Sequence, residues 1–438
     1  MLVNDEKDIE QLNEFNEKYK TIEEILKRYF SDNDLRVLKM KCISGSKDGD
    51  NYMSVVKRII VEYEAGGKLF QPLSLIVKRH IKDKARRELF RCDAAFKNEI
   101  TAYCHVVPAL KRFSNNNLPL PNHYFAGCDK EGEIIAMDDL AKEGLRMVDR
   151  LDGLDFEHSS IVMKELANFH GLSLAMKIIE PKTFSTAVQY IEEIVFIEDA
   201  AEFYSQQLDY SLNQAITSLS HESNEKGEFD STVKILKKLK GPKLFNIMRN
   251  HVTNSEDKWN VIVHGDLWTN NIMFHYGKNG RVSYAKFVDL QTLRYSNLVC
   301  DILMVIFSST KYKMRQQYLD ELIDVYRNSL IDTLREHLKG SYSCELAELE
   351  EMYTTESIKQ EIARRSLFGL GMSLWVLPAI TFVANVKDID SLLNSLNDSD
   401  KHDEIMAGMK SQEYHIRVRE IMKEFKQRGY LNNIFIDV

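Results

Sequence analysis

A short segment of the chain places a carboxylate and an amide in a turn between two apolar runs. It reads VIVHGDLWTNNIMF over residues 261–274, with Asp266 and Asn271 five positions apart. Polar side chains between buried strands are costly unless they are paired or bind a ligand. Phosphoryl transfer uses such a pair, because a carboxylate can accept the proton of an attacking hydroxyl while an amide oxygen binds magnesium. The alternative is a turn in which Asp266 is only a cap and Asn271 only suits the backbone.

A second carboxylate returns to this loop if the following residues form a hairpin. Strands are predicted at 271–276 and 281–288, on either side of a glycine-containing turn. The hairpin brings Asp289 back beside Asn271, so that two oxygen ligands favour Mg²⁺. An acidic residue that merely begins a turn is the alternative interpretation.

A lysine and a glutamate precede this loop in the order that a nucleotide site requires. Lys78 ends an apolar strand within residues 69–80, and Glu99 lies in a predicted helix over 84–107. A lysine held by a glutamate can neutralise the α- and β-phosphates of a nucleotide. Because lysines and glutamates are abundant on this chain, the order of the pair carries more weight than the pair itself.

Two further segments are candidates for nucleotide contacts. In the loop over residues 44–54, backbone N–H groups could reach phosphates, although a flexible hairpin tip is the alternative. The candidates in this loop are Ser46, Gly49 and Asn51. Residues 136–140 (AMDDL) would form a hinge, with Asp138 and Leu140 as candidate adenine contacts. Surface charges at a lobe boundary are the other interpretation of Asp138 and Asp139.

The elements that must position these residues change in type along the chain. An apolar stripe (Ile22, Ile25, Leu26, Phe30) predicts an N-terminal helix. Strands with one helix follow, and then come helices at 155–177, 187–219 and 228–252 around a second β segment. This order predicts an α+β fold with a β-rich N-terminal lobe, residues 1–138, and a mainly helical C-terminal lobe, residues 139–438. The first would grip the nucleotide phosphates; the second would carry the catalytic loop, the metal site and the acceptor pocket.

Two residues of the helical region are candidates for supporting roles. Asp301, at the head of an apolar helix, could cap that helix and brace the catalytic loop. His170 lies on an otherwise apolar helix, where a hydrogen-bonded core histidine is favoured over catalysis.

Composition excludes several classes of function. A net charge of −8 and a pI of about 5.9 provide no basic surface for nucleic acid or anionic membranes. The six cysteines form no CxxC pair and are expected to be reduced. The charged N-terminus lacks the apolar stretch of a signal peptide, which predicts a cytoplasmic enzyme. Residues 366–386 contain one long uncharged stretch, although a buried core helix kinked near Pro378 is favoured over a membrane span.

The ordered set resembles the ecdysteroid kinase-like family, also called CHK-kinase-like, within the group of choline kinases and aminoglycoside phosphotransferases. The motifs that carry the resemblance are MDDL, LANFHGLS, HGDLWTNNIMF, KFVDLQ and RYSNLVCDILMVIF, together with Lys78 and Glu99. Two mild departures are Gly49–Asp50–Asn51–Tyr52, where the family commonly has Gly-Glu-Asn-Tyr, and an Asp-Asp-Leu hinge where it more often has Glu-Asp-Leu.

The resemblance implies a protein-kinase-like fold and ATP- and Mg²⁺-dependent phosphorylation of a hydroxyl on a small molecule. It implies that Asp266 is the catalytic base and that Asn271 and Asp289 bind the metal. It also implies that Lys78 contacts phosphates with Glu99 as its partner.

Peptide substrates are disfavoured on direct grounds. HGD replaces HRD, VDLQ replaces DFG, and ten residues between Leu290 and Asp301 leave little room for an activation segment. The favoured acceptor is a steroid-like or xenobiotic alcohol, because Phe368, Leu374, Trp375 and Phe382 could line a lipophilic pocket. A cationic amino alcohol, as in choline or aminoglycoside kinases, and a non-catalytic binding protein are the alternatives.

Overall fold

The described part of the chain forms two compact units. The computed structural model describes residues 20–45, 54–81, 84–89, 91–115, 118–220, 227–381 and 411–435. The first unit takes the described residues up to Cys104 and Pro121–Gly144; the second takes His105–Leu120 and the residues from Leu145 onward. A β-rich unit and a mainly helical unit confirm the predicted α+β class. The division expected from the sequence, after residue 138, stays a prediction about lobes; in the structure the first compact unit continues to Gly144, and His105–Leu120 belongs to the second.

The first unit is an antiparallel sheet with helices. Helix α1 covers residues 20–30. The strands are β1 Arg36–Ser44, β2 Ser54–Ala65, β3 Lys68–Leu69, β4 Leu73–His80, β5 His123–Asp129 and β6 Gly132–Asp138. Two further helices are α2 Lys84–Leu89 and α3 Cys92–Thr101. The strand order is β1-β2-β4-β6-β5, with β3 paired to β2 at its end.

The two faces of this sheet have different roles. Ile22, Ile25 and Leu26 of α1 join a buried cluster that includes Leu75 and Val77 of β4. Because side chains alternate along a strand, Lys78 points to the opposite face, where α3 contacts β4, β5 and β6. The predicted stripe on α1 is confirmed at its first three positions. Its fourth member, Phe30, stays 42% exposed, with its ring stacked on Tyr63.

The predicted helix over 84–107 is several shorter pieces. Helices α2 and α3 are separate, and Arg91 before α3 has a left-handed backbone with φ 50°. A π-helix, Ala102–Val106, and helix α4, Val107–Phe113, follow α3. A left-handed residue interrupts the i to i−4 hydrogen-bond ladder. The prediction of one continuous helix is therefore wrong. The sequence did not reveal the break, because no glycine or proline lies within residues 84–107.

The second unit is built mainly from helices. After α4 they are α5 Phe156–Ile179, α6 Pro181–Val188, α7 Ala201–Leu219, α8 Asp230–Lys238, α9 Pro242–Thr253, α10 Val299–Ser309, α11 Tyr312–His337, α12 Ser343–Met352, α13 Thr355–Arg364, α14 Ser366–Thr381 and α15 Gln412–Gln427. Short 3₁₀ turns cover Glu198–Ala200, Thr269–Asn271, Leu290–Thr292, Gly340–Tyr342 and Tyr430–Phe435. Helices α5 and α11 pack against each other, and α10 packs on α14.

Two small sheets interrupt these helices. Their strands are β7 Leu145–Arg146, β8 Asn260–Val263, β9 Ile272–Tyr276, β10 Val282–Phe287 and β11 Arg294–Asn297. Strands β10, β9 and β7 form one antiparallel sheet, and β11 pairs with β8. The predicted hairpin is thereby confirmed as β9 and β10. The Ser173 hydroxyl of α5 accepts a hydrogen bond from the Ile262 N–H at 2.8 Å, which attaches β8 to the helical core.

Two other predicted helices are also interrupted. In the segment 187–219, residues 189–197 are not α-helical, because Glu193 Oε1 accepts hydrogen bonds from the N–H groups of Val195 and Phe196. A side chain that binds its own local backbone competes with the helix. The segment 228–252 breaks into α8 and α9 at Gly241, which has φ 69°, followed by Pro242 at the first helical position.

Helix α14 confirms the prediction of a buried helix through Thr381. Sixteen residues form it, with Pro378 inside, and residues 382–386 of the prediction lie outside the described part of the chain. The glycines permit close packing: a Cβ on Gly371 would lie 2.2 Å from the sulfur of Met248 on α9. In the residues that the structure describes, no helix combines the length and the apolar character needed to cross a membrane.

Candidate active site

The turn after β8 has a conformation that glycine alone adopts without strain. Gly265 has φ 85°, and a Cβ there would lie 2.1 Å from the carbonyl oxygen of Thr292. Helix α5 supports β8 from one side, and β11 pairs with it from the other. The turn therefore packs closely against the backbone at Thr292, after β10. This close packing restricts the backbone conformation at Gly265, from which the chain continues to Asp266.

Replacing Gly265 with alanine is expected to lower the free energy of unfolding by at least about 3 kcal/mol, through backbone overlap and left-handed strain. The measurement is urea unfolding. Gly280→Ala is the matched control, because Gly280 has φ 77° but open space around its Cβ position. That control is expected to cost only about 1 kcal/mol. Equal losses in the two variants would show that Thr292 does not restrict the turn.

A buried carboxylate holds the turn through hydrogen bonds to its backbone. Asp301 on α10 accepts hydrogen bonds from the N–H groups of His264, at 2.7 Å, and Gly265, at 2.9 Å. It also contacts His170 Nε2 at 3.2 Å, and His170 Nδ1 contacts the Tyr326 hydroxyl at 2.7 Å. Burial would raise the pKa of Asp301, but the His170 contact, nearby charges and the Gly265 N–H lower it below its ordinary value. Asp301 is thus an ionised anchor for the loop.

These contacts test both roles expected for Asp301 and the core role expected for His170. Asp301 braces the loop and does not cap its helix, since α10 starts from Leu298 without a side-chain cap and Asn297 Oδ1 accepts from the Val299 N–H. His170 is a fully buried histidine with a partner at each ring nitrogen, which confirms the expected core role.

Asp266 and Asn271 contact each other across the loop. Asn271 Nδ2 donates to the Asp266 backbone carbonyl at 2.8 Å and to its Oδ2 at 3.2 Å. Burial first, and then the charge of Asp289, raise the pKa of Asp266 to about 7. Arg294, the Trp268 indole and Asn271 act in the opposite direction. One like charge, that of Asp289, and one guanidinium, that of Arg294, therefore act on the predicted base.

The hairpin brings Asp289 back to this loop, as predicted. Phe287 pairs with Ile272, and the Val288 N–H donates to the Asn271 carbonyl at 3.0 Å. His264 Nε2 contacts the Val288 carbonyl at 3.0 Å. Because burial lowers the pKa of His264, its neutral ring donates there and accepts weakly from the Asp266 N–H at 3.4 Å. The segment before Asp289 is tied to both ends of the Asp266 loop.

The donor chemistry of this cluster fits a hard divalent cation. Asn271 directs its Nδ2 toward Asp266, which leaves the amide oxygen as its metal-binding group. Asp289 adds a second carboxylate, and its negative charge raises the pKa of Asp266. Oxygen ligands of this kind suit magnesium, which keeps several of its ligands as water or phosphate. Over the described ranges, no group of three or more His, Cys, Asp or Glu residues could hold a metal.

The predicted lysine–glutamate contact is present in the first unit. Lys78 Nζ lies 2.6 Å from Glu99 Oε2, and the side chains are 8% and 1% exposed. Strand β4 supplies the lysine and α3 supplies the glutamate. A surface pair would be solvated and loosely held, and burial separates this pair from the Lys27–Glu23 and Lys39–Glu62 ion pairs, whose side chains are at least 29% exposed.

The predicted hinge contains a structural aspartate next to a candidate one. Asp139 is 2% exposed and accepts from Arg58 Nε at 2.6 Å and from the Ser74 hydroxyl at 2.7 Å. The interpretation of Asp139 as a surface charge is therefore wrong. The carboxylate of Asp138 accepts from the Asn122 N–H at 3.1 Å, and Leu140 is buried. The glycine-loop candidates Ser46, Gly49 and Asn51 lie outside the described residues.

The aromatic and aliphatic candidates for a lipophilic pocket divide by burial. Phe368 and Leu374 are 2% and 1% exposed, so they belong to the packed core. Trp375 is half-buried, with its ring edge-on to Tyr204 at 5.2 Å. Phe382 lies outside the described residues. Of the predicted set that the structure describes, Trp375 alone keeps exposed area for a ligand.

Sequence reasoning missed two residues beside the loop. Arg294 opens β11 and is 4% exposed, and Glu193 forms an ion pair with its Nε at 3.2 Å. An isolated arginine inside the short strand RYSN, soon after Asp289, was the available signal. Its partner lies about a hundred positions away in a segment predicted to be helical, so spacing alone could not have found it.

The chain was compared with protein-family models, with curated proteins and with solved structures. A model of the ecdysteroid kinase-like family matches residues 48–339, which is more than half of the chain. No curated protein matches.

Several solved structures resemble the chain at low identity. An aminoglycoside 2′-phosphotransferase in complex with GDP is 13% identical, with 95% of this chain and 99% of that chain covered and a TM-score of 0.39. An ethanolamine kinase of Plasmodium vivax is 12% identical, with 91% and 85% covered and a TM-score of 0.37. A choline/ethanolamine kinase family protein from Mesorhizobium loti is 10% identical, with 83% and 90% covered and a TM-score of 0.36.

Proposed function

Because the chain belongs to the ecdysteroid kinase-like family of small-molecule kinases, we propose that it transfers the γ-phosphoryl group of ATP to a hydroxyl of a small lipophilic molecule. The acceptor class is a steroid-like alcohol or a xenobiotic alcohol or glycoside. The observation that carries the proposal is the return of Asp289 to the Asp266–Asn271 loop, where the Val288 N–H binds the Asn271 carbonyl at 3.0 Å. Two carboxylates and an amide then meet in one turn, as phosphoryl transfer requires.

The proposed reaction assigns one task to each residue of the loop. Asp266 accepts the proton of the acceptor hydroxyl while the oxygen of that hydroxyl bonds to the γ-phosphorus of ATP. At the same time, the bond between the γ-phosphorus and the β,γ-bridging oxygen breaks. ADP leaves with the electron pair of that bond. Asn271 holds the Asp266 carboxylate through Nδ2. Asp301 keeps the turn in place through its two backbone hydrogen bonds.

The metal and phosphate contacts are assigned on the same basis. Asn271 and Asp289 would hold Mg²⁺, which supplies charge neutralisation on the phosphate oxygens when bound. Lys78 is assigned to the nucleotide phosphates, and Glu99 fixes its ammonium group at 2.6 Å. A buried partner restricts the rotamers of a lysine, so its charge stays in one position.

The test is phosphate transfer from labelled ATP to a panel of hydroxylated steroids, plant glycosides and amino alcohols, with and without Mg²⁺. We expect labelled product with a neutral lipophilic alcohol and none without the metal. Asp332→Asn, on an exposed side chain of α11, should behave as the wild type. Transfer only to amino alcohols would replace the lipophilic acceptor by a cationic one. Absence of transfer to every alcohol would reject the kinase assignment.

A further inference from the structure

We infer that Arg294, held by Glu193, is a positioning residue for the carboxylate of Asp266. The inference deepens the proposed function, because it rests on Asp266 as the base. It starts from the pairing of β11 with β8, in which Arg294 stands opposite Val263. Arg294 is therefore beside the strand end from which the His264–Asp266 turn emerges. Its Nε lies 3.1 Å from the position that a Cβ on Gly265 would take.

The Arg294 guanidinium is buried and held by several contacts. Arg294 is 4% exposed, its Nε lies 3.2 Å from Glu193 Oε2, and it also donates to the Thr292 carbonyl at 3.3 Å. The ring of Phe196 lies 5.3 Å below the guanidinium carbon. The other oxygen of Glu193 is held by two backbone N–H groups, so the carboxylate itself cannot turn away. Anchor and guanidinium are both fixed by the fold.

The Arg294–Glu193 ion pair leaves one buried hydrogen-bond donor of the guanidinium without an acceptor among the described residues. Arg294 Nη1 is buried and makes no hydrogen bond to any residue that the structure describes. A guanidinium has five N–H donors, and a buried donor without an acceptor is costly. An apolar side chain of similar size would fill the same space without that cost. What the arginine adds is a fixed positive charge beside the turn that carries Asp266, with its Nε 3.1 Å from the position that a Cβ on Gly265 would take.

The consequence is an orienting field on one side of the base. The turn that carries Asp266 lies beside Arg294 of β11 and beside the segment that precedes Asp289. A carboxylate subject to one negative and one positive charge prefers the orientation that faces the positive charge, and the hydrogen bond from Asn271 Nδ2 holds it there. A base held in one orientation needs less reorganisation when an acceptor hydroxyl arrives.

The Trp268 indole offers a readout that does not require activity. Trp268 stands two residues after Asp266, its carbonyl accepts from the Asn271 N–H at 2.8 Å, and the chain has only three tryptophans. In protein labelled with 5-fluorotryptophan, ¹⁹F NMR therefore gives three signals, and Trp268→Phe assigns the one of interest. We expect Arg294→Gln to shift the Trp268 signal and to leave those of Trp259 and Trp375 unchanged.

Kinetics supply the second readout. Arg294→Gln is expected to lower kcat roughly tenfold or more with little change in KM for ATP, because misplacement of a reacting group affects the chemical step. Arg294→Lys, which keeps the charge, should recover part of that loss. Arg315→Gln is the matched control, since Arg315 forms a buried ion pair with Glu424 at 2.6 Å. It should reduce stability and leave both kcat per folded enzyme and the Trp268 signal unchanged.

The outcomes separate this inference from the proposed function. A folded Arg294→Gln protein with an unmoved Trp268 signal would overturn the positioning role, whatever its activity. If Arg294→Gln does not fold, Glu193→Gln tests the same role with the guanidinium retained, and an unmoved signal there would overturn it equally. A wild type without kinase activity rejects the proposed function, and the Trp268 signal still decides whether Arg294 positions Asp266.

Discussion

Replacing Asp266 with asparagine is expected to lower kcat by about three orders of magnitude, since general base catalysis contributes about 10²–10⁴-fold. The substitution keeps the size and the hydrogen bonds of the side chain and removes its ability to accept the proton. The two loop contacts from Asn271 can still form to the backbone carbonyl and to the new amide oxygen. The loss should therefore appear in kcat, measured by single-turnover transfer from labelled ATP.

Nucleotide binding distinguishes a lost base from a damaged fold. Calorimetric titration with a non-hydrolysable ATP analogue should give the same affinity for Asp266→Asn as for the wild type within about threefold. Asp332→Asn, at an exposed position on α11, controls for the general effect of removing one carboxylate. A rate unchanged from that of the wild type would falsify the assignment of Asp266 as the base.

The second large effect is expected at the other carboxylate. Asp289→Asn should weaken Mg²⁺-dependent nucleotide binding at least tenfold, because removal even of groups outside the metal's own ligands costs about 10–100-fold. Asparagine is the suitable replacement, since Asp289 has φ 72° and asparagine tolerates this left-handed backbone. The measurement is calorimetric affinity for the ATP analogue at a series of Mg²⁺ concentrations.

The metal dependence is the decisive part of that experiment. With magnesium removed by a chelator, Asp289→Asn and the wild type should bind the nucleotide equally weakly. The difference should grow as the metal is added and should shrink again only at Mg²⁺ concentrations well above those that saturate the wild type. Parallel curves at every metal concentration would mean that Asp289 does not bind the cation.

Together the two variants separate roles that one turn places side by side. Asp266 and Asp289 interact through their charges, so a loss in either could be mistaken for a loss in both. A defect in kcat with normal binding at position 266, and a defect in metal-dependent binding at position 289, is the pattern that independent roles produce.

The local signals in the sequence predicted the hairpin and the strand that position several of the candidate residues. The turn between β9 and β10 contains Gly277 and Gly280, and alternating apolar residues flank it, so the hairpin and the return of Asp289 followed directly. Lys78 at the end of β4 was predicted from a strand pattern, and its partner Glu99 from a helix pattern. Their 2.6 Å contact and burial agree with that expectation.

The helices show where such signals stop. The break before α3 occurs at Arg91, whose left-handed backbone no glycine or proline announces. Residues 189–197 leave the helical pattern because Glu193 binds the backbone two and three residues ahead and Arg294 from a distant strand. In the second case, the contact of Glu193 with Arg294 lies far outside the window in which periodicity is measured.

The sequence by itself determined the residue types of the site and their order: a lysine, a glutamate, the HGD turn, an asparagine and a returning aspartate. These follow from local rules, because a strand, a turn and a hairpin are specified by neighbouring residues. Asp301 was already a candidate brace for the HGD turn, but only the tertiary structure decided that His170 holds Asp301 from behind and that Arg294 with Glu193 lies beside the turn. Such contacts join residues up to 131 positions apart, and packing of the whole helical unit is what selects them.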